Sequence, residues 1–146
     1  MNDLLSGSAE EDFIPRHIDV DVALPGLMIC RFKVSLYYGN AEFLMNEVLS
    51  IVRTAPSRLR WLILRFDSID DVDDVAAKML MELADRMRRE EVALVFAELS
   101  ADLRGFLSDF GVLEVVGLDK VFASIDAALA AFKHRMLNAQ RMRKIS

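Results

Sequence analysis

The chain has 146 residues, a formal net charge of −5 and a hydrophobic share of 53%, which is enough for one domain with its own core and too acidic for a nucleic-acid binder that must neutralise phosphates. No uninterrupted apolar run is longer than that of Val92–Ala97, which is far below the roughly 18 residues that a membrane-spanning helix requires. Residues 1–12 lack the basic flank and apolar stretch of a secretory signal, and the lone Cys30 suits a reducing compartment, so a cytoplasmic location is expected.

Residues 1–13 are small, polar and acidic without a period, and read as a disordered lead or linker remnant. The folded domain is expected over residues 14–137, with a basic C-terminal tail at 138–146. Pro25-Gly26 signals a turn, and Leu27–Val34 after it reads as a strand. Ser35–Tyr38 reads as a short second strand, its antiparallel neighbour. Asn40 stands at an N-cap, and Ala41, Leu44, Met45, Val48, Ile51 and Val52 recur at helical spacing up to Ala55-Pro56.

Trp61–Phe66 shows no polar alternation before Arg65, as expected of a central parallel strand covered on both faces. An acidic turn follows, Asp67 to Asp74, and then a helix whose stripe is Val75, Ala76, Met79, Leu80, Leu83, Ala84 and Met87. Val92–Ala97 is a second buried strand, so the unit is a parallel crossover. Ser100 caps a further helix that Gly111 stops, Val112–Gly117 reads as a weak strand or loop, and Ser124 caps the last helix. Alternating helices and strands make the class α/β, a mixed sheet with about four helices.

The sequence offers little catalytic chemistry. Setting an EF-hand loop on Asp71 places acids at Asp71, Asp73 and Glu82, but Val75 stands where an oxygen ligand belongs and Ala76 where the turn needs glycine. No second acidic strand end and lysine accompany the turn, as a phosphoacceptor aspartate would need. Cys30, His17 and His134 share no motif, and the glycines are dispersed singly rather than gathered in a phosphate loop. No catalytic residue, metal or cofactor is expected. The acidic turn suits the positive end of a helix dipole, and the basic tail either complements a helix C-terminus or approaches anionic headgroups.

Over Val20 to His134 the order of elements resembles a STAS domain, in the form found at the cytoplasmic C-terminus of SulP anion transporters. The residues that carry the resemblance are Pro25-Gly26, the stretch Leu36-Tyr37-Tyr38-Gly39-Asn40-Ala41-Glu42-Phe43, the apolar strand leading to the Asp73 turn, Phe110-Gly111-Val112, Gly117, Phe122 and Ala127-Ala128-Leu129. Asn40-Ala41-Glu42 favours the transporter branch over bacterial anti-sigma-factor antagonists. In the antagonist branch the turn reads Asp, two Ser or Thr and Gly, the second hydroxyl being the phosphorylation site; here it reads Asp73-Asp74-Val75-Ala76. The resemblance implies a regulatory interaction module of a SulP-type sulfate or bicarbonate transporter at the inner face of the membrane. Its switch turn would be Asp73, Asp74, Val75 and Ala76, and its partner surface Tyr37, Tyr38, Asn40 and Lys78. The implied partners are the transporter membrane domain or another regulatory protein, with a homo-oligomer also compatible. The alternative is a stand-alone partner-switching protein like the antagonists, without the phosphorylatable hydroxyl.

Overall fold

The computed structural model describes residues 17–145, so the lead over residues 1–13 lies outside the described residues. Two strands open the fold, β1 (Ile18–Leu24) and β2 (Leu27–Phe32), joined as an antiparallel hairpin through Pro25-Gly26. Gly26 has φ +84°, a left-handed conformation that a residue with a Cβ resists. Next come α1 (Ala41–Arg53), β3 (Trp61–Arg65), α2 (Asp74–Arg89) and β4 (Ala93–Ala97). Then follow α3 (Ala101–Phe110), the short α4 (Val112–Val116), a 3-10 turn at Leu118–Lys120, β5 (Val121–Phe122) and α5 (Ile125–Ile145). The sheet order is β1-β2-β3-β4-β5. Only the first pair is antiparallel; β2 through β5 run parallel.

Parallel central strands need cover on both faces, and the runs in β2, β3 and β4 supply it. Met28, Cys30, Phe32, Leu62, Leu64, Leu94 and Phe96 face α1 and α2, whose stripe of Leu44, Val48, Ala77, Leu80 and Met87 completes the larger core. Phe66 sits between Phe32 and Phe96, with ring centroids 5.8 and 4.8 Å away, at separations favourable for tilted aromatic pairs. The opposite face carries Leu27, Ile29, Trp61, Ile63, Val95 and Ala97, covered by Ala128 and Phe132 of α5.

Of Asn40, Ser100, Gly111 and Ser124, the last three act as their chemistry requires, whereas Asn40 stands at the N-cap position of α1 without a side-chain cap bond. Ser100 and Ser124 accept hydrogen bonds from the amides of Leu103 (3.1 Å) and Ala127 (3.0 Å), and Gly111 ends α3 at φ +96°. Four expectations are corrected. Ser35–Tyr38 is not the antiparallel neighbour of β2; that partner is β1, and Leu36 makes a single parallel bridge to Val72. Residues 112–116 form a helix rather than a strand, because Val112, Leu113 and Val116 point one way into the core at helical spacing, which overrides the β-branched preference of the valines. Val75 leaves the buried stripe of α2, being 47% exposed. Met79, also placed in that stripe, is only half-buried, packed at the core margin.

Candidate functional site

Because β2, β3 and β4 are parallel and each connection returns by a helix, the N-termini of α1 and α2 meet at the C-terminal end of the strands. Between β3 and α2 the chain is anchored by Ile69 and Val72, which are buried, while Asp70, Asp71 and Asp74 face solvent. Leu36, also buried, lies alongside: its amide donates to the Asp71 carbonyl and its carbonyl accepts from the Asp73 amide, both at 3.2 Å. The segment before α1 and the acidic turn before α2 are thereby sewn together.

Asp73 is the knot. One carboxylate oxygen accepts from the Ala76 amide at 2.9 Å, capping α2, and the other accepts from the Tyr38 amide at 2.7 Å. Asn40 holds the same loop from its other end. It occupies the N-cap position of α1, but its side chain makes no cap bond; its Oδ1 accepts from the Tyr37 amide at 3.1 Å and its Nδ2 donates to the Ser35 carbonyl at 3.0 Å. A Cβ built on Gly39 would lie 2.5 Å from the Tyr37 ring, so this position keeps room for that ring. With the loop pinned, Tyr37 and Tyr38 stand edge to face, centroids 6.1 Å apart, and 49% and 76% exposed. Val75 and Phe43, in the first turns of α2 and α1, are exposed as well. Lys78 is exposed one turn into α2. The structure thus joins Asp73, Ala76 and Tyr38 by direct bonds, while Asn40 acts one step away on Tyr37.

A second polar cluster, which the sequence reading missed, lies on the α5 face of the same strand ends. Arg31 and Arg65 are register neighbours on β2 and β3. Arg31 grips Asp67 through two bonds of 2.9 and 3.0 Å and donates to the Ser68 hydroxyl at 2.8 Å. Arg65 donates to Glu98 at 2.7 Å and stands 3.5 Å from Asp67. Glu98, at φ +66°, in turn accepts from the Ile125 amide at the start of α5. The hydrogen bonds from Arg31, with the charge of Arg65 behind them, hold the Asp67 carboxyl below its ordinary range despite some desolvation. The cue was available: an arginine at the same place in two adjacent strands, with an acid two residues after the second. Elsewhere, burial pushes the Cys30 thiol up to about 12, which leaves it unreactive. Among the described residues, no group of three or more His, Cys, Asp or Glu is placed to hold a metal ion, and no helix is long and apolar enough to cross a membrane.

This sheet and this turn have relatives. A family model for the STAS domain matches residues 20–128. A probable sulfate transporter of Mycobacterium tuberculosis is 30% identical over 112 residues, covering 77% of this chain and 20% of the transporter. The structure of a murine anion transporter, solute carrier 26 family member A9, superposes with a TM-score of 0.69 at 24% identity, over 76% of this chain and 18% of that one. A putative anti-sigma factor antagonist of Thermotoga maritima superposes at 0.67 with 12% identity, over 80% of this chain and 97% of that one. The chain spans about a fifth of the length of the curated transporter relatives it matches. With the matched segment running from β1 into α5, the chain belongs to the STAS-domain family.

Proposed function

We propose that this chain is the cytoplasmic regulatory module of a SulP-type anion transporter, acting by protein contact at the inner face of the membrane. The domain doing this spans residues 14–137. Its contact surface is the Asp73-Asp74-Val75-Ala76 turn with Tyr37, Tyr38, Asn40 and Lys78 beside it, and its partner is the transporter membrane domain, in the same polypeptide or another. One observation carries the reading: the backbone bearing an exposed pair of tyrosines is fastened at Tyr38 by Asp73 to a helix N-terminus and at Tyr37 by Asn40, next to exposed Val75. Aromatic side chains carried on a backbone already fixed before contact leave less chain entropy to lose on binding, which suits an interface anchor. The kinship with sulfate transporters supports the choice of partner.

The test places a photoreactive benzophenone side chain at position 38 in cells and identifies the crosslinked product by mass spectrometry, with the exposed Glu114 as control position. A multi-span anion-transporter domain captured at 38 and not at 114 is the expected result. Capture of a kinase-like regulator at 38 would favour the partner-switching alternative. Absence of any product specific to 38 would remove the tyrosine surface from consideration.

A further inference from the structure

At the other end of the sheet, below the N-terminal ends of β3 and β4, lies a cavity of about 500 Å³. Trp61, only 5% exposed, forms part of its wall, and Arg60, Arg88, Lys120 and Arg135 line it with Glu91 as the single acid. Four cations around one cavity stand out in a chain of net charge −5. Helix polarity accounts for Arg88, which is in the last turn of α2. It does not account for the others: Arg60 precedes β3, Lys120 closes a 3-10 turn and Arg135 is midway along α5.

Arg88 is also paired, with Asp85, but the other three charges are not balanced one for one. Lys120 and Arg135 share one carboxylate, Asp119, at 3.1 and 3.6 Å. Glu91 is engaged by Arg58 at 2.8 Å. Arg88 donates to the Val115 carbonyl at 2.6 Å and to Asp85 at 3.0 Å. Arg60 has no acidic partner among the described residues. The Arg135 guanidinium lies 5.8 Å from the centre of the Trp61 ring, within cation–π range, so it is held over the cavity wall.

We propose that this cavity binds a phosphoryl group, with Arg60, Lys120 and Arg135 as its ligands. Several cations on one small volume favour a multivalent oxyanion over a monovalent one, and guanidinium forks match its oxygens in pairs. The group can be that of a small free phosphate or of a phospholipid head. This site is at the opposite pole from the Asp73 turn and does not rest on the reading given to that turn.

Trp61 is the only tryptophan, so its fluorescence reports the cavity directly, with calorimetry as a parallel readout. Sodium pyrophosphate is titrated in one arm, against sodium chloride at matched ionic strength. Phosphatidylcholine vesicles with and without phosphatidic acid are titrated in the other. Saturable binding of pyrophosphate identifies a free anion as sufficient; binding only to vesicles containing phosphatidic acid identifies a headgroup. Arg60→Gln and Lys120→Gln should each weaken the productive arm about tenfold or more, as expected for losing a hydrogen bond to a charged group. Arg104→Gln, on α3, should leave it unchanged. No saturable binding in either arm, or wild-type affinity in both cavity variants with an intact melting transition, overturns the proposal.

Discussion

Replacing Asp73 with alanine removes two hydrogen bonds that serve different segments, and the two can be separated by a second substitution. The bond to the Ala76 amide (2.9 Å) is an N-cap, typically contributing about 1 kcal/mol. The bond to the Tyr38 amide (2.7 Å) ties together chain segments 35 residues apart, and a net contribution of about 1 kcal/mol is usual for such a bond. Asp73→Ala should therefore cost about 2 kcal/mol; with an unfolding entropy of about 2.1 cal/mol/K per residue, that lowers the Tm by about 7 °C. Asp73→Ser retains a capping hydroxyl but, with a single short-armed oxygen, cannot also reach Tyr38, so about half the loss is expected. Calorimetry gives the Tm values, and amide exchange locates the damage: Tyr38 should lose protection in both variants, Ala76 only in the alanine variant. A serine variant as unstable as the alanine variant, or an alanine variant melting within about 2 °C of wild type, would refute the two-bond account.

The remaining predictions test the second cluster and the core. The Asp67 carboxyl is held below its ordinary value of 3.8 mainly by Arg31, so its contribution to stability is present above that value and is lost as pH falls through the lower, folded value; Asp67→Asn should be less stable at neutral pH and show a flatter acid limb in urea unfolding between pH 7 and 3. Phe66, 1% exposed and packed on two other rings, should cost about 3–5 kcal/mol on truncation to alanine, read as a lowered urea midpoint with unchanged m-value. Cys30, fully buried, should not react with Ellman's reagent at pH 8 until the protein is unfolded. Because its thiol is raised from 9.0 to about 12 in the folded state, its contribution is complete below pH 9 and is lost as pH climbs toward 12.

What was legible in the sequence was what is local and strongly patterned. Trp61–Arg65 announces a doubly covered strand because no polar residue interrupts it, and Ser100, Gly111 and Ser124 mark helix ends because capping chemistry is written within three residues. β1 is different: Ile18-Asp19-Val20-Asp21-Val22 alternates as a strand does, but the run is short and its acids merge with the acidic residues before it, and Val20 and Val22 are 44% and 48% exposed at the sheet edge. At the candidate site, the Asp73 turn could be placed at a helix N-terminus from its pattern alone. Its bond to Tyr38 and the grip of Arg31 on Asp67 join residues 35 and 36 apart, distances that no periodicity encodes.

The same geometry bears on whether the turn can act as a switch. From Asp67 to Ala76 the one hydroxyl is that of Ser68, and it is already a partner of Arg31; Asp74, Val75 and Ala76 offer none. The negative charge at this pole is accordingly built in, through Asp74 in the first turn of α2 as well as Glu42 in that of α1. The opposite ends of those helices carry Arg53 in α1 and Arg86, Arg88 and Arg89 in α2. Since α1 and α2 run the same way, their dipoles add, and the acidic and basic residues sit where each dipole favours them. The result is a domain with a permanently anionic end bearing the tyrosine pair and a cationic end bearing the Trp61 cavity. For a partner of mixed charge this favours one orientation, because reversal would set like charges against each other. Exchanging Asp74 for lysine tests this: the effect should fall on the association rate at low salt, and fade as ionic strength shortens the reach of the field.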